Sequence, residues 1–210
     1  MNRPCFKNRA DAGQRLAKLL EPYLSPKTVI YGLPRGGVIV AAEAAKHLKA
    51  PLELAITRKI GHPLHPEYAI GAVAEDGTFV GQGTELKTVD RDWLEREIER
   101  QTEEIKRRKE LYQGSRPAIP ATGKTAILTD DGIATGLTIM AAARMLRKQK
   151  PLRLVIAVPV MPASAAEALK AEADDVVAIF VDPDYLGAVG EYYDDFDQTS
   201  DAEVARALDR

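Results

Sequence analysis

Apolar residues return along this 210-residue chain in two alternating rhythms, helical and extended, and the alternation is regular enough to predict a fold class. Leu16, Leu19, Leu20 and Tyr23 recur at helical spacing and predict an amphipathic helix that Asp11 caps and that ends near Leu24. Residues 28–32 then read as a short buried strand, 38–48 as an alanine-rich helix and 52–57 as the next strand. That order is a βαβ unit and implies a right-handed crossover between parallel strands.

A segment rich in proline and histidine, from Ile60 to Glu67, interrupts the pattern and reads as a mobile loop. Residues 68–74 and 78–80 flank Glu75-Asp76-Gly77 and predict a hairpin with an Asp-Gly turn. Residues 90–112 are strongly charged, with a narrow apolar stripe of Leu94, Ile98, Ile105 and Tyr112. Such a stripe suits a helix docked on the body of the domain, and it also suits a homodimer contact. After a connector at 114–123, residues 126–128 read as strand, the run to about Lys148 as helix, 152–160 as strand, 164–173 as helix and 176–181 as the last core strand. The expectation is a single α/β domain over residues 1–210, with a mainly parallel central sheet flanked by helices. A lid and hairpin at about 58–82, the charged helix at about 90–112 and a C-terminal hood at about 182–200 complete it.

A net charge of −2, from 29 basic and 31 acidic residues, offers no electrostatic footprint for nucleic acid or an anionic membrane. The absence of a long apolar run or a signal-peptide pattern, together with a single Cys5, makes the cytoplasm the expected compartment. His62, His65 and Glu67 lack a fourth partner for zinc. Thr122-Gly123-Lys124-Thr125 imitates the end of a nucleotide-binding P-loop, but a strand follows it where a helix is required.

The chemistry concentrates between Ala126 and Thr138. Asp130 and Asp131 emerge at the carboxyl end of a buried strand, where open α/β sheets bind ligands. Thr135, Gly136 and Thr138 open the following helix, whose first N–H groups lack internal partners and favour an anion. Carboxylates accept from ribose hydroxyls while loop N–H groups and threonine hydroxyls donate to phosphate, so this segment suits a ribose 5-phosphate. The stretch from Leu128 to Thr138 resembles the phosphoribosyl-diphosphate (PRPP) signature of type I phosphoribosyltransferases, a hydrophobic strand, two acids and an A-T-G-x-T loop. The resemblance implies that fold. It also implies PRPP bound along Asp130, Asp131, Gly132, Ile133, Ala134, Thr135, Gly136, Leu137 and Thr138, with Mg²⁺ held through water by Asp130 and Asp131.

The resemblance extends to other segments. Pro34-Arg35-Gly36-Gly37 follows the first strand where the family binds the pyrophosphate leaving group; Arg35 supplies a fork and the glycine N–H groups a nest. Arg58-Lys59 stands where the adenine and orotate branches begin a catalytic lid, which adds Arg58 and Lys59 to Asp130 and Asp131 as catalytic candidates. Tyr185, Tyr192 and Tyr193, in an acidic and aromatic C-terminal stretch, are candidates to stack on a planar acceptor or, equally, to anchor that stretch to the core.

Hypoxanthine and guanine enzymes carry a general-base aspartate three residues beyond the acidic pair; Ala134 stands there and argues against that branch. The expected function is Mg²⁺-dependent transfer of ribose 5-phosphate from PRPP to a small nitrogen acceptor such as a nucleobase, with release of pyrophosphate. The alternative is a PRPP-sensing regulator without turnover, although such a sensor could dispense with the diphosphate loop and the lid, and this chain has both Arg35-Gly36-Gly37 and Arg58-Lys59. No G-x-G-x-x-G follows a predicted strand, which excludes a dinucleotide-binding reductase.

Overall fold

The computed structural model describes residues 5–81, 83–114 and 116–209. In chain order the elements are α1 (Arg9–Leu20), β1 (Thr28–Gly32), α2 (Gly36–Leu48), β2 (Leu52–Leu54), β3 (Thr57–His62), β4 (His65–Ala74), β5 (Phe79–Gly81) and α3 (Arg91–Gln113). There follow β6 (Thr125–Thr129), α4 (Leu137–Lys148), β7 (Arg153–Pro162), α5 (Ala163–Leu169), β8 (Asp175–Asp182) and α6 (Asp201–Leu208).

Five strands form a parallel sheet in the order β2-β1-β6-β7-β8. Its centre is buried on both faces, and side-chain alternation assigns each residue a layer. Val29, Tyr31, Ala126, Leu128, Leu154 and Ile156 face a core completed by Ile139, Ala142, Ala143 and Leu146 of α4 and Leu169 of α5. Ile30, Ile127, Val155 and Ala157 face the other way, onto Leu16 and Leu20 of α1 and Val40, Ala41, Ala44 and Leu48 of α2. Each valine, leucine or isoleucine among them contributes about 1.5–3 kcal/mol by leaving water. The chain leaves β1 toward β2 on one side and returns through β6 to build outward on the other. The crevice beyond the carboxyl ends of β1 and β6 is therefore a topological switch point. There Gly32 pairs with Thr129, and Leu33 N–H donates to Thr129 O at 3.0 Å.

The structure revises several local expectations. Asn8, not Asp11, is the N-cap of α1: its side chain accepts from Asp11 N–H at 3.0 Å, and Asp11 in turn accepts from Lys7 N–H at 3.1 Å. Arg9 is thereby the first helical residue. The segment expected to be a mobile lid is an antiparallel ribbon, β3 paired with β4 through a turn at Pro63 and Leu64, and β5 completes a three-stranded sheet. Its prolines are compatible with strands because Pro63 sits in the turn and Pro66 lies where a bulge interrupts the ladder near Gly61. A Cβ on Gly61 would overlap the Pro66 backbone, so glycine permits the bulge. The Asp76-Gly77 turn forms as expected, with Gly77 at φ +81° and Lys148 Nζ bonded to Asp76 at 3.0 Å and Thr78 at 2.6 Å.

The stripe on α3 is docked within the chain, where Ile105 and Tyr112 are buried and Leu94 and Ile98 pack beside them against Ile56, Ile60, Ile70 and Leu208. Helix α6 has no counterpart among the expected elements. Its signal is a capping box, with Glu203 N–H donating to Ser200 Oγ and Ser200 N–H to Glu203 Oε2. The end of α3 and the connector are tied to the main sheet by Glu53 on β2, 2% exposed. Its carboxylate accepts from Leu54 N–H, Gln113 Nε2, Ile119 N–H and Arg116 Nη2 at 2.8–3.2 Å. Glu53→Ala leaves those buried and partly buried donors without their acceptor and is expected to cost about 2–3 kcal/mol, measured as a lower urea midpoint at unchanged slope.

Candidate active site

Everything at the switch point is arranged around the end of β6. Thr129 is fully buried and its hydroxyl donates to Ala157 O, which fixes the strand end against β7. Asp130 follows, its Oδ1 accepting from Asp131 N–H at 2.9 Å, and Ile133 N–H donates to Val160 O at 2.9 Å to return the loop to the sheet. Gly132 is packed so closely on Val189 that a Cβ would overlap it. Gly136, at φ +83°, is the N-cap of α4, a backbone state that glycine adopts without steric cost. Ala134 and Thr135 remain exposed at the helix mouth.

The loop after β1 lies directly against the two acids. Its Pro34–Arg35 peptide bond is cis. A Cβ on Gly36 would overlap Asp131 Oδ2 and Arg9 Nε, and one on Gly37 would lie 2.7 Å from Asp130 Cα and Oδ1. Both glycines are thus required by close approach. Arg35 itself reaches away from the pair, to Asp201 at 3.8 Å.

Of the expected cations, Lys59 alone lines the pocket of about 230 Å³ that the loop from Gly132 to Thr138 forms with Ala69, Gly71 and Val189. Its ammonium rests on Glu67 at 3.2 Å, an exposed pair of small strength. Arg58, one residue earlier on the strand, donates to Gln101 of α3 at 2.9 Å and does not join the acidic pair or the pocket. Strand alternation sends neighbouring residues to opposite faces.

The three tyrosines separate as well. Tyr192 is 1% exposed, its hydroxyl donating to Asp182 at 2.6 Å, and Tyr193 is buried with its hydroxyl on Asp131 O. Both belong to a cluster with Phe6 and Val160, so they anchor the hood and present no face for an acceptor; the stacking expectation fails for them. Tyr185 stays partly exposed and stacks on Tyr192 at 5.5 Å. Burial first, then Tyr192 and Asp131, pushes its hydroxyl up to about 12, and that hydroxyl has no partner among the described residues.

Sequence reading missed Arg9. Its Nε donates to Asp131 Oδ2 at 2.7 Å, its Nη1 to Asp197 O at 2.7 Å, and its guanidinium lies 3.8 Å from the centre of the Phe196 ring. No local signal marks a partner 122 residues away; only the Asn8 cap, which puts Arg9 at the start of α1, could have hinted at it. Burial, then the charge of Asp131, holds the Asp130 carboxyl well above the ordinary aspartate range. Asp131 is raised by burial as well, with Arg9 opposing the rise.

A carboxyl raised in the folded state binds more protons there than in the unfolded chain, so its ionisation takes stability away as pH climbs out of the ordinary aspartate range. Asp130→Asn can keep the bond to Asp131 N–H without the charge. The variant is expected to melt higher than the parent at neutral pH, with the difference closing toward about pH 4, in paired thermal melts across that range.

This geometry can be set beside known proteins. Residues 9–195 match the model of the phosphoribosyl transferase domain. Two Mycobacterium tuberculosis proteins, from strains CDC 1551 / Oshkosh and ATCC 25618 / H37Rv, provisionally named phosphoribosyl transferases, are each 43% identical over 210 residues. The alignment covers 98% of this chain and 46% of theirs, so the chain spans about half the length of these curated relatives. The crystal structure of TT1426 from Thermus thermophilus is 42% identical and superimposes with a TM-score of 0.81 over 97% of both chains. With a parallel sheet, an acidic pair at its switch point and a glycine loop laid against that pair, the chain belongs to the phosphoribosyl transferase domain family.

Proposed function

We propose that this protein transfers ribose 5-phosphate from PRPP to a nitrogen acceptor of the nucleobase class, releasing pyrophosphate in a Mg²⁺-dependent reaction. The observation that carries the reading is the contact between Gly36-Gly37 and Asp130-Asp131, which brings a diphosphate cradle and a ribose-hydroxyl acceptor pair within one side chain's width. The 5-phosphate sits at the mouth of α4, on N–H groups between Ile133 and Thr138 and on the hydroxyls of Thr135 and Thr138. Asp130 and Asp131 accept from the ribose hydroxyls. The loop from Pro34 to Gly37 receives the diphosphate, and Lys59, loosely paired and at the pocket wall, is the one of the three expected cations placed to approach it.

The bond from ribose C1 to the diphosphate oxygen breaks with its electron pair leaving on pyrophosphate, and the acceptor nitrogen closes on C1, its proton passing to solvent. The protein's part is to hold these groups in line and offset the leaving charge. Among the described residues no group of three or more His, Cys, Asp or Glu side chains could hold a metal ion. Asp130 and Asp131, as hard oxygen donors, would hold a hydrated Mg²⁺ through its waters. Bound there, Mg²⁺ neutralises diphosphate charge. Of the three candidate tyrosines Tyr185 is the one left to meet the acceptor, and Ala134 stands at the position three residues beyond the acidic pair, where it offers no carboxylate base.

The seat of Arg58 on α3 favours a second reading, a PRPP-binding regulator without turnover. Pyrophosphate release from PRPP and Mg²⁺ across a panel of purine, pyrimidine and related nitrogen acceptors separates the two. The expected result is acceptor-dependent release that drops at least ~100-fold in Asp131→Ala. Tight PRPP binding with no release would replace transferase with sensor, and absence of both would refute the PRPP assignment.

A further inference from the structure

The cations that the sequence offers for a diphosphate are mostly spoken for. Arg35 points to Asp201, Arg58 to Gln101 and Lys59 to Glu67, and none of them touches the acidic pair. The cation that does is Arg9. It fills the seam between Asp131 and the loop after β1, close enough that Gly36 cannot carry a side chain.

Its position is costly for the helix it begins. A positive charge in the first turn of α1 opposes the helix dipole, and any stability gained there would favour an acid. The compensation is local to the site. Asp131 takes Nε, Asp197 O takes Nη1 and the Phe196 ring lies under the guanidinium plane, so the fork is held from three sides before any ligand arrives. Both members of the ion pair are mostly buried, with 13% and 16% of their side chains exposed. Two of the five guanidinium donors are used among the described residues, and the fork lies beside the loop of Gly36.

We propose that Arg9 is a positioning residue of the PRPP site: a resident guanidinium that aims Asp131 and offsets the meeting of two carboxylates with an anionic diphosphate, lowering the divalent-cation demand of binding. The proposal rests on the PRPP reading above. It adds the first residue of α1 to a site otherwise built from β1, β3, β4, β6, their loops and the hood, and it gives the hood a further role, because Phe196 and Asp197 hold the arginine that holds the acid.

The test is titration calorimetry of PRPP into the full chain, Arg9→Gln and Arg9→Lys, at saturating Mg²⁺ and across a Mg²⁺ series, with thermal melts of each variant. Wild type is expected to bind PRPP. Arg9→Gln is expected to bind at least ~10-fold more weakly and to need several-fold more Mg²⁺ for half-saturation, whereas Arg9→Lys, which keeps the charge and loses the fork, recovers the Mg²⁺ requirement but only part of the affinity. A purely structural arginine would alter melting and affinity in both variants without moving the Mg²⁺ midpoint, and that result overturns the proposal, as does unchanged PRPP binding in a folded Arg9→Gln. Should Arg9→Gln fail to fold, Arg9→Met, equally uncharged but able to pack on the Phe196 ring, takes its place: a Mg²⁺ midpoint several-fold above that of wild type and Arg9→Lys supports the role, and an unmoved midpoint overturns it. No PRPP binding by wild type would refute the functional reading itself, and this one with it.

Discussion

Two adjacent carboxylates at the end of β6 repel each other in a setting poor in water, and much of the local structure answers that repulsion. Asp130 is held above its ordinary range by burial and by its neighbour, which is an expensive arrangement for a protein to maintain. Asp131 receives Arg9, the two glycines after β1 clear space for the acids, and Tyr193 fixes the backbone carbonyl between them and the hood. Sites that bind polyhydroxylated or cationic ligands can hold such charge because the ligand completes what the fold leaves unbalanced.

The segment that leads into α1 meets the hood beside the acidic pair. Phe6 pairs with Tyr193 as an isolated bridge, Phe6 N–H donating to Tyr192 O and Asp194 N–H to Phe6 O at 2.8 Å. Around this bridge Phe6, Tyr192 and Tyr193 are buried, with Phe196 packed against them. The hood is thus clamped by the segment that leads into α1, and α1 begins with the arginine that reaches Asp131. Its aromatics are used for attachment, which leaves Tyr185 as the one tyrosine of the three with surface to offer.

On the opposite flank, the ribbon of β3, β4 and β5 is held between α4 and α3. Lys148 binds the Asp76 turn, Glu53 gathers the connector and the end of α3, and Tyr112 donates to Asp201 at 2.6 Å to bring in α6. This packing makes one wall of the pocket a strand, so Lys59 is positioned by a ladder, while the turn and the first residues of β4, 63–68, are exposed. Leu64 in that turn is 78% exposed.

What the chain's sequence determined by itself was local. Apolar periodicity located most strands and helices, and the sequence of strand, acids, glycine and helix start marked Asp130 to Thr138, because backbone preference and end-of-helix hydrogen bonding are encoded within a few residues. The Ser200 to Glu203 capping box was legible too, though unread. Tertiary structure decided the rest. Whether Pro63 and Pro66 break a strand depends on where the turn and bulge fall in a partner strand. Whether Arg58 or Lys59 lines the pocket depends on which face of the ribbon packs on α3. Tyr192 and Tyr193 became anchors because Phe6 arrived from the other end of the chain, and Arg9 found Asp131 across 122 residues. Contacts of that kind are set by which surfaces the fold presses together, and no short stretch of sequence contains both halves of them.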